Sequence, residues 1–329
     1  MKKKYSVLGS GVLTLSFVGW LLVVSVLAAV AILFITLGGA SMDMYMNYLV
    51  VVALPEILLI VPLIVYMAVT KTGFRALMGN RTTLSQNLLA VLAGVLLAPA
   101  LTGFGTVLDW LFRLLGAHPL DTSKLNPLTL GQMFVSMFAV GVLAGVVEEP
   151  IFRGAVLRGM GSAAGKRTAV LLSALVFAAV HGDVVGLLPR FLMGLVLGYM
   201  AWRAGAVLPG VCLHVAYNST LMAIVYFLRD WPGFKLFPGA TADVNGLLTW
   251  MLLAVPFTAA AYGAYRLFAR ATPESAAWSP APYERRTKSS HFVPWIIAGA
   301  VLLALMAFSA AIMFLPVNDL TRQFADTFK

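Results

Sequence analysis

Val146-Val147-Glu148-Glu149-Pro150-Ile151-Phe152-Arg153 sets two adjacent carboxylates and an arginine inside a run that is otherwise hydrophobic. A charge at bilayer depth costs roughly 2.5–3.5 kcal/mol or more, so each needs a partner or a task. Helical spacing sorts the three. Glu149 and Arg153 are four apart with the carboxylate first, the favourable order for an ion pair on one face. Glu148 lies about 100° around the helix from its neighbour and has no partner in its own segment. The expectation is that Glu149 and Arg153 hold each other while Glu148 does chemistry. The blander alternative is a helix end where all three are solvated, and the histidine segments downstream argue against it.

The 329 residues are 60% hydrophobic and 11% charged, and the mean hydropathy is +0.91. That composition belongs to a polytopic membrane protein rather than a soluble domain. The formal net charge of +10 raises the question of nucleic acid. The basic residues, however, stand in short loops beside apolar spans, and no Lys/Arg face interleaved with aromatics is present. No nucleic-acid partner is expected; the lipid bilayer is. The single cysteine, Cys212, rules out an intrachain disulfide and any CxxC site.

Apolar stretches at about 11–37, 48–70, 86–110, 131–152, 168–187, 190–204, 206–228, 246–268 and 294–315 give about nine spans. The first is about twice the length of a signal-peptide core and reads as a membrane helix. With the N-terminus in the cytosol, sixteen lysines and arginines fall inside and seven outside. The inner set is Lys2–Lys4, the 71–81 group, Arg153 to Arg167, Arg203, and the group from Arg266 to Lys288. This bias predicts an all-α, polytopic transmembrane helical bundle, N-in and C-out. It divides into N-terminal helices (1–130), a core (131–228), a following helix (229–270), a cytosolic linker (271–293) and a last helix with its tail (294–329). The linker is rich in proline and serine and carries Arg285-Arg286-Thr287-Lys288, a topology signal or anionic-lipid contact. Gly141-xxx-Gly145 and Gly194-xxx-Gly198 would let helices approach closely around the carboxylates.

Of four histidines, His118 and His291 fall in loops. The other two lie in apolar spans. Phe177 and His181 are four apart, as are His214 and Asn218. A lone buried histidine is most simply a hydrogen bond to a neighbouring helix. Polar groups on three separate spans are unfavourable in hydrocarbon unless they converge. Convergence would assemble a hydrolase: a glutamate to take a proton from water, and a histidine to orient the water or protonate the leaving amine. A histidine with an asparagine amide could bind an oxyanion. Neither GxSxG nor HExxH is present. Two imidazoles and a carboxylate could equally ligate Zn²⁺, and these residues leave that choice open.

In these motifs the chain resembles the intramembrane CAAX-protease and bacteriocin-processing (CPBP, or Abi) family, related to the type II CAAX prenyl endopeptidases. The family pattern of EExxxR, FxxxH and HxxxN on consecutive segments is met by Glu148 to Arg153, Phe177 to His181, and His214 to Asn218. The likeness covers about residues 130–225. It implies that Glu148 and His181 activate water, that His214 and Asn218 bind the oxyanion, and that Glu149 and Arg153 are structural support. It implies endoproteolysis of a peptide or membrane-protein substrate in the plasma membrane. Any Zn²⁺ would fall to Glu148, His181 and His214. Two alternatives are a catalytically idle membrane scaffold of the same fold and an ion-coupled transporter using the same ionisable groups. Pro150, lacking a backbone donor in mid-helix, is expected to kink the helix beside the site.

Overall fold

A computed structural model describes residues 6–37, 44–118, 127–229, 244–275, 278 and 288–314. Helix dominates them: α1 (Val7–Leu37), α2 (Met44–Leu58), α3 (Ile60–Thr70), the short α4 (Phe74–Met78) and α5 (Leu84–Leu114). A long run follows, made of α6 (Leu130–Ser136), a π-helical segment (Met137–Leu143), α7 (Ala144–Glu149), a second π-helical segment (Pro150–Leu157) and α8 (Arg158–Ala179). The chain continues through α9 (Val184–Ala204), α10 (Leu208–Leu228), α11 (Val244–Ala271) and α12 (Val293–Met313). Among the described residues, β pairing amounts to one isolated bridge, between Gly79 and Ala206. The all-α, polytopic expectation holds.

Eight helical runs among the described residues are long and apolar enough to cross a membrane. The expected spans 131–152 and 168–187 fall together in one of them, Leu130–Ala179. Within it Gly165 breaks the helix at φ 75°, ψ 172°, a backbone that glycine adopts without strain. The polar stretch 153–167, expected as a loop, is therefore helical on both sides of that glycine. The charge asymmetry puts Arg153 among the cytosolic residues, yet its side chain is 0% exposed and belongs to the core.

The next boundary also moves. The expected span 168–187 ends early, because α8 stops at Ala179 and the chain turns through His181-Gly182-Asp183. Gly182 takes φ 65°, and the Asp183 side chain accepts the Val185 N–H to cap α9. Pro189 lies inside α9 instead of breaking it. The short span expected at 190–204 is thus a full helix of 21 residues. Pro150 likewise sits at the start of the second π-helical segment, where a change of helix type accommodates its missing donor.

In lipid, helices are held by close packing and interhelical hydrogen bonds, the latter about 0.6–2 kcal/mol each, because apolar burial drives little. Here α5 is the hub, packed against α9, α10 and α11. Gly94 brings its backbone against the Leu213 carbonyl, and Gly103 lies against Trp250 and Ala254. The two small-residue pairs work the same way. A Cβ on Gly145 would meet Val215 Cγ2 at 2.7 Å, and one on Gly194 would meet Ala174 Cα at 3.0 Å.

Contacts gather the turns at two ends. At one end Asn80 donates to the Ala204 carbonyl, Arg158 to the Ala76 carbonyl, and Arg203 to the carbonyls of Ala269 and Thr272. Gly159 abuts Ser10, the Trp295 indole donates to the Val7 carbonyl, and Lys166 pairs with Glu274. Trp278 of the linker docks there too, edge-on to Trp202 and under Arg158. At the other end Arg229 donates to the carbonyls of Pro127 and Leu128. The basic pair Arg285-Arg286 lies outside the described residues.

Candidate active site

Glu148 and Glu149 occupy the last turn of α7, between the two π-helical segments. Such segments leave carbonyls without their usual intrahelical partner and recur where a helix carries function. Glu149 Oε1 accepts from Arg153 Nη1 at 2.7 Å, the ion pair expected from the spacing, and both side chains are 0% exposed. The same oxygen lies 2.9 Å from His214 Nδ1. A carboxylate can only accept here, so Nδ1 carries its proton and the ring's orientation is set by Glu149. Gly210, one turn before His214 on α10, lets Glu149 fit: a Cβ there would stand 2.7 Å from Glu149 Oε2.

The opposite nitrogen, His214 Nε2, faces Glu148 Oε2 at 4.0 Å, beyond a direct hydrogen bond. Glu148 is 4% exposed, and its Oε2 is buried without a hydrogen-bond partner. Glu56, on α2, lies beside Glu148 and likewise has a buried Oε2 without a hydrogen-bond partner. Glu56 was not singled out from the sequence. A carboxylate within the apolar stretch 48–70 was the available signal.

Phe177 holds the two histidines in relation. Its ring is edge-on to His181 at 5.2 Å and to His214 at 5.7 Å, while the Arg153 guanidinium lies 4.4 Å above it. Phe152 stacks edge-on behind, at 5.3 Å. His181 is not inside a span as expected. It stands just past the end of α8, surface-exposed, with Nδ1 2.8 Å from the Phe177 carbonyl. That bond places the proton on Nδ1 and leaves Nε2 as an acceptor. No hydrogen bond joins His181 to Glu148. Beside it, burial would raise the Asp183 carboxyl, but Arg190 at 2.8 Å and the backbone N–H groups of Val185 and Gly186 hold it below the usual range.

Asn218 lies one turn beyond His214 on α10. Its Nδ2 donates to the Val140 carbonyl at 2.8 Å, within the first π-helical segment. One amide N–H is thereby committed and one remains. Cys212 is partly buried and packs with the apolar core. For a metal, the donors expected were Glu148, His181 and His214. Among the described residues no group of three or more His, Cys, Asp or Glu side chains is gathered to hold one.

The fold and these side chains define a helical membrane protein with a buried carboxylate–imidazole cluster between its core helices. Residues 130–220 match the family model described as type II CAAX prenyl endopeptidase Rce1-like, so a CAAX-protease (CPBP) domain occupies that part of the chain. No curated protein and no solved structure matches the chain.

Proposed function

We propose that the protein is an intramembrane endopeptidase of the plasma membrane that hydrolyses a peptide bond in a peptide or membrane-associated protein. The observation that carries this reading is Glu148, a buried carboxylate with an unpartnered oxygen facing the Nε2 of a histidine fixed by Glu149. The family domain over residues 130–220 points the same way.

In the proposed reaction Glu148 takes a proton from water as its oxygen adds to the scissile carbonyl carbon. His181, protonated on Nδ1, offers Nε2 to hold that water. The carbonyl oxygen becomes an oxyanion and accepts from His214 Nε2–H and from the second amide N–H of Asn218. In this role His214 carries a proton on each nitrogen from the outset and gains none during the step, and Glu149 at 2.9 Å balances its charge. The proton on Glu148 passes to the leaving nitrogen as the C–N bond breaks. Every step runs through side chains of this chain.

Nine passes, N-in and C-out, remain our proposed topology, with the run 130–179 counted as two passes turned at Gly165. The clustering of residues 10, 80, 159, 166, 203 and 274 at one end supports it. The test of function is cleavage by purified protein in lipid of a quenched-fluorescent peptide library, with prenylated and unprenylated CAAX peptides included. Cleavage lost in Glu148→Gln supports the reading. No cleavage of any member by a well-folded protein argues for a scaffold.

A further inference from the structure

His181 stands exposed, just past the end of α8. Its ring is tied to that helix by Nδ1 on the Phe177 carbonyl at 2.8 Å, and among the described residues it has no hydrogen-bond partner on another helix. The chain leaves through Gly182, whose N–H donates to the Ala179 carbonyl and whose φ of 65° glycine adopts without strain. A permissive joint directly after His181 imposes no direction of its own. What fixes the turn is the anchor that follows, Asp183. Its Oδ1 accepts the Val185 N–H at 3.0 Å, and its Oδ2 accepts from Arg190 Nη1 at 2.8 Å.

Arg190 lies about two turns further along α9. Its guanidinium folds back over Gly186: a Cβ there would collide with Nη1 and stand 2.5 Å from Asp183 Oδ2. The absent side chain at 186 is what lets the pair close. The start of α9 is otherwise weakly tied, since Pro189 has no N–H to offer the Val185 carbonyl. The Arg190 side chain is 32% exposed and that of Asp183 46%, so the pair adds little to global stability. We propose that Asp183, Arg190 and the gap at Gly186 form a clamp that positions His181. It fixes the turn 181–183 against α9 and so sets where the imidazole stands relative to Glu148. Arg190 is thus a positioning residue and does not touch the reacting atoms. The consequence for catalysis rests on the hydrolase reading; the clamp itself does not.

Two measurements test it. Hydrogen–deuterium exchange of the full chain in lipid reads the turn without turnover. Arg190→Gln, and Asp183→Asn, which keeps a capping oxygen, should speed exchange over residues 180–188 about tenfold or more and leave the other helices unchanged. Gly186→Ala, which keeps both charges but fills the gap, should do the same. Unchanged exchange in Arg190→Gln or in Gly186→Ala overturns the proposal. On the best-cleaved library peptide, Arg190→Gln should lower kcat about 10–100-fold with KM and melting temperature near wild type, and Arg190→Lys should recover part of the loss. In a His181→Ala background the same Arg190→Gln change should alter the remaining rate by less than about twofold, because no imidazole is left to misplace. An equal loss in both backgrounds, or a raised KM with kcat intact, overturns the positioning role. Where His181→Ala leaves no measurable rate, a wild-type kcat in Gly186→Ala overturns it instead. If no preparation cleaves any peptide, the hydrolase reading fails while the exchange result still decides the clamp.

Discussion

His214 Nδ1 rests 2.9 Å from Glu149 Oε1, the oxygen that also takes the Arg153 guanidinium. Glu149 is therefore the hinge between an ion pair within its own helical run and an imidazole on α10. A structural carboxylate that also fixes a functional ring should show both roles when removed. Breaking a buried pair at one partner costs about 3–5 kcal/mol. Glu149→Ala should lower the yield and the melting temperature, and the folded fraction should also lose activity. A folded fraction with full specific activity would reduce Glu149 to a purely structural residue.

Asn218 has one amide N–H bound to the Val140 carbonyl and one left over. If the second meets the oxyanion, Asn218→Ala should lower kcat about 10²–10³-fold and change KM little, as removal of a preorganised donor does elsewhere. A rise in KM with kcat intact would mean that Asn218 only anchors α10.

The contacts Lys166–Glu274, Arg203–Glu274 and Asn80–Ala204 require the four segments around residues 80, 166, 204 and 274 to lie on one side of the membrane. In a Cys212→Ala background, single cysteines at positions 166, 274 and 288 should be labelled by an impermeant reagent only from the cytosolic side. A cysteine at position 183 should be labelled from outside. Labelling of positions 166 and 274 from opposite sides would contradict the packing, and labelling of both from outside would invert the orientation alone.

Much of this was legible in advance, and what was not has physical reasons. The Glu149–Arg153 pair follows from spacing on one helix, and the close approaches at Gly145 and Gly194 follow from small residues one turn apart. The Glu149–His214 bond joins residues 65 positions apart, and local spacing carries no sign of it. Nor does periodicity predict the π-helical segments on either side of α7. The end of α8 was misplaced because residues 180–187 remain largely apolar. There the turn is made by Gly182 and by the Asp183 cap rather than by a polar loop. Glu56 is visible as a lone carboxylate in a span, but the carboxylate it lies beside belongs to a different helix.

Metal dependence is open to direct measurement. Hydrolysis driven by Glu148, His181 and hydrogen-bond donors should survive exhaustive chelation, with less than one zinc per chain in the purified protein. Stoichiometric zinc, with activity lost on its removal and restored on its return, would replace that route by one in which Glu148, His181 and His214 serve as ligands.

The most direct test of the central claim compares cleavage by wild type and Glu148→Gln, each purified and matched for melting temperature. Glutamine keeps the shape of Glu148 but cannot take a proton. The account predicts a melting temperature near that of the wild type and a loss of kcat of about 10²–10⁴. A well-folded Glu148→Gln protein cleaving at the wild-type rate would contradict it.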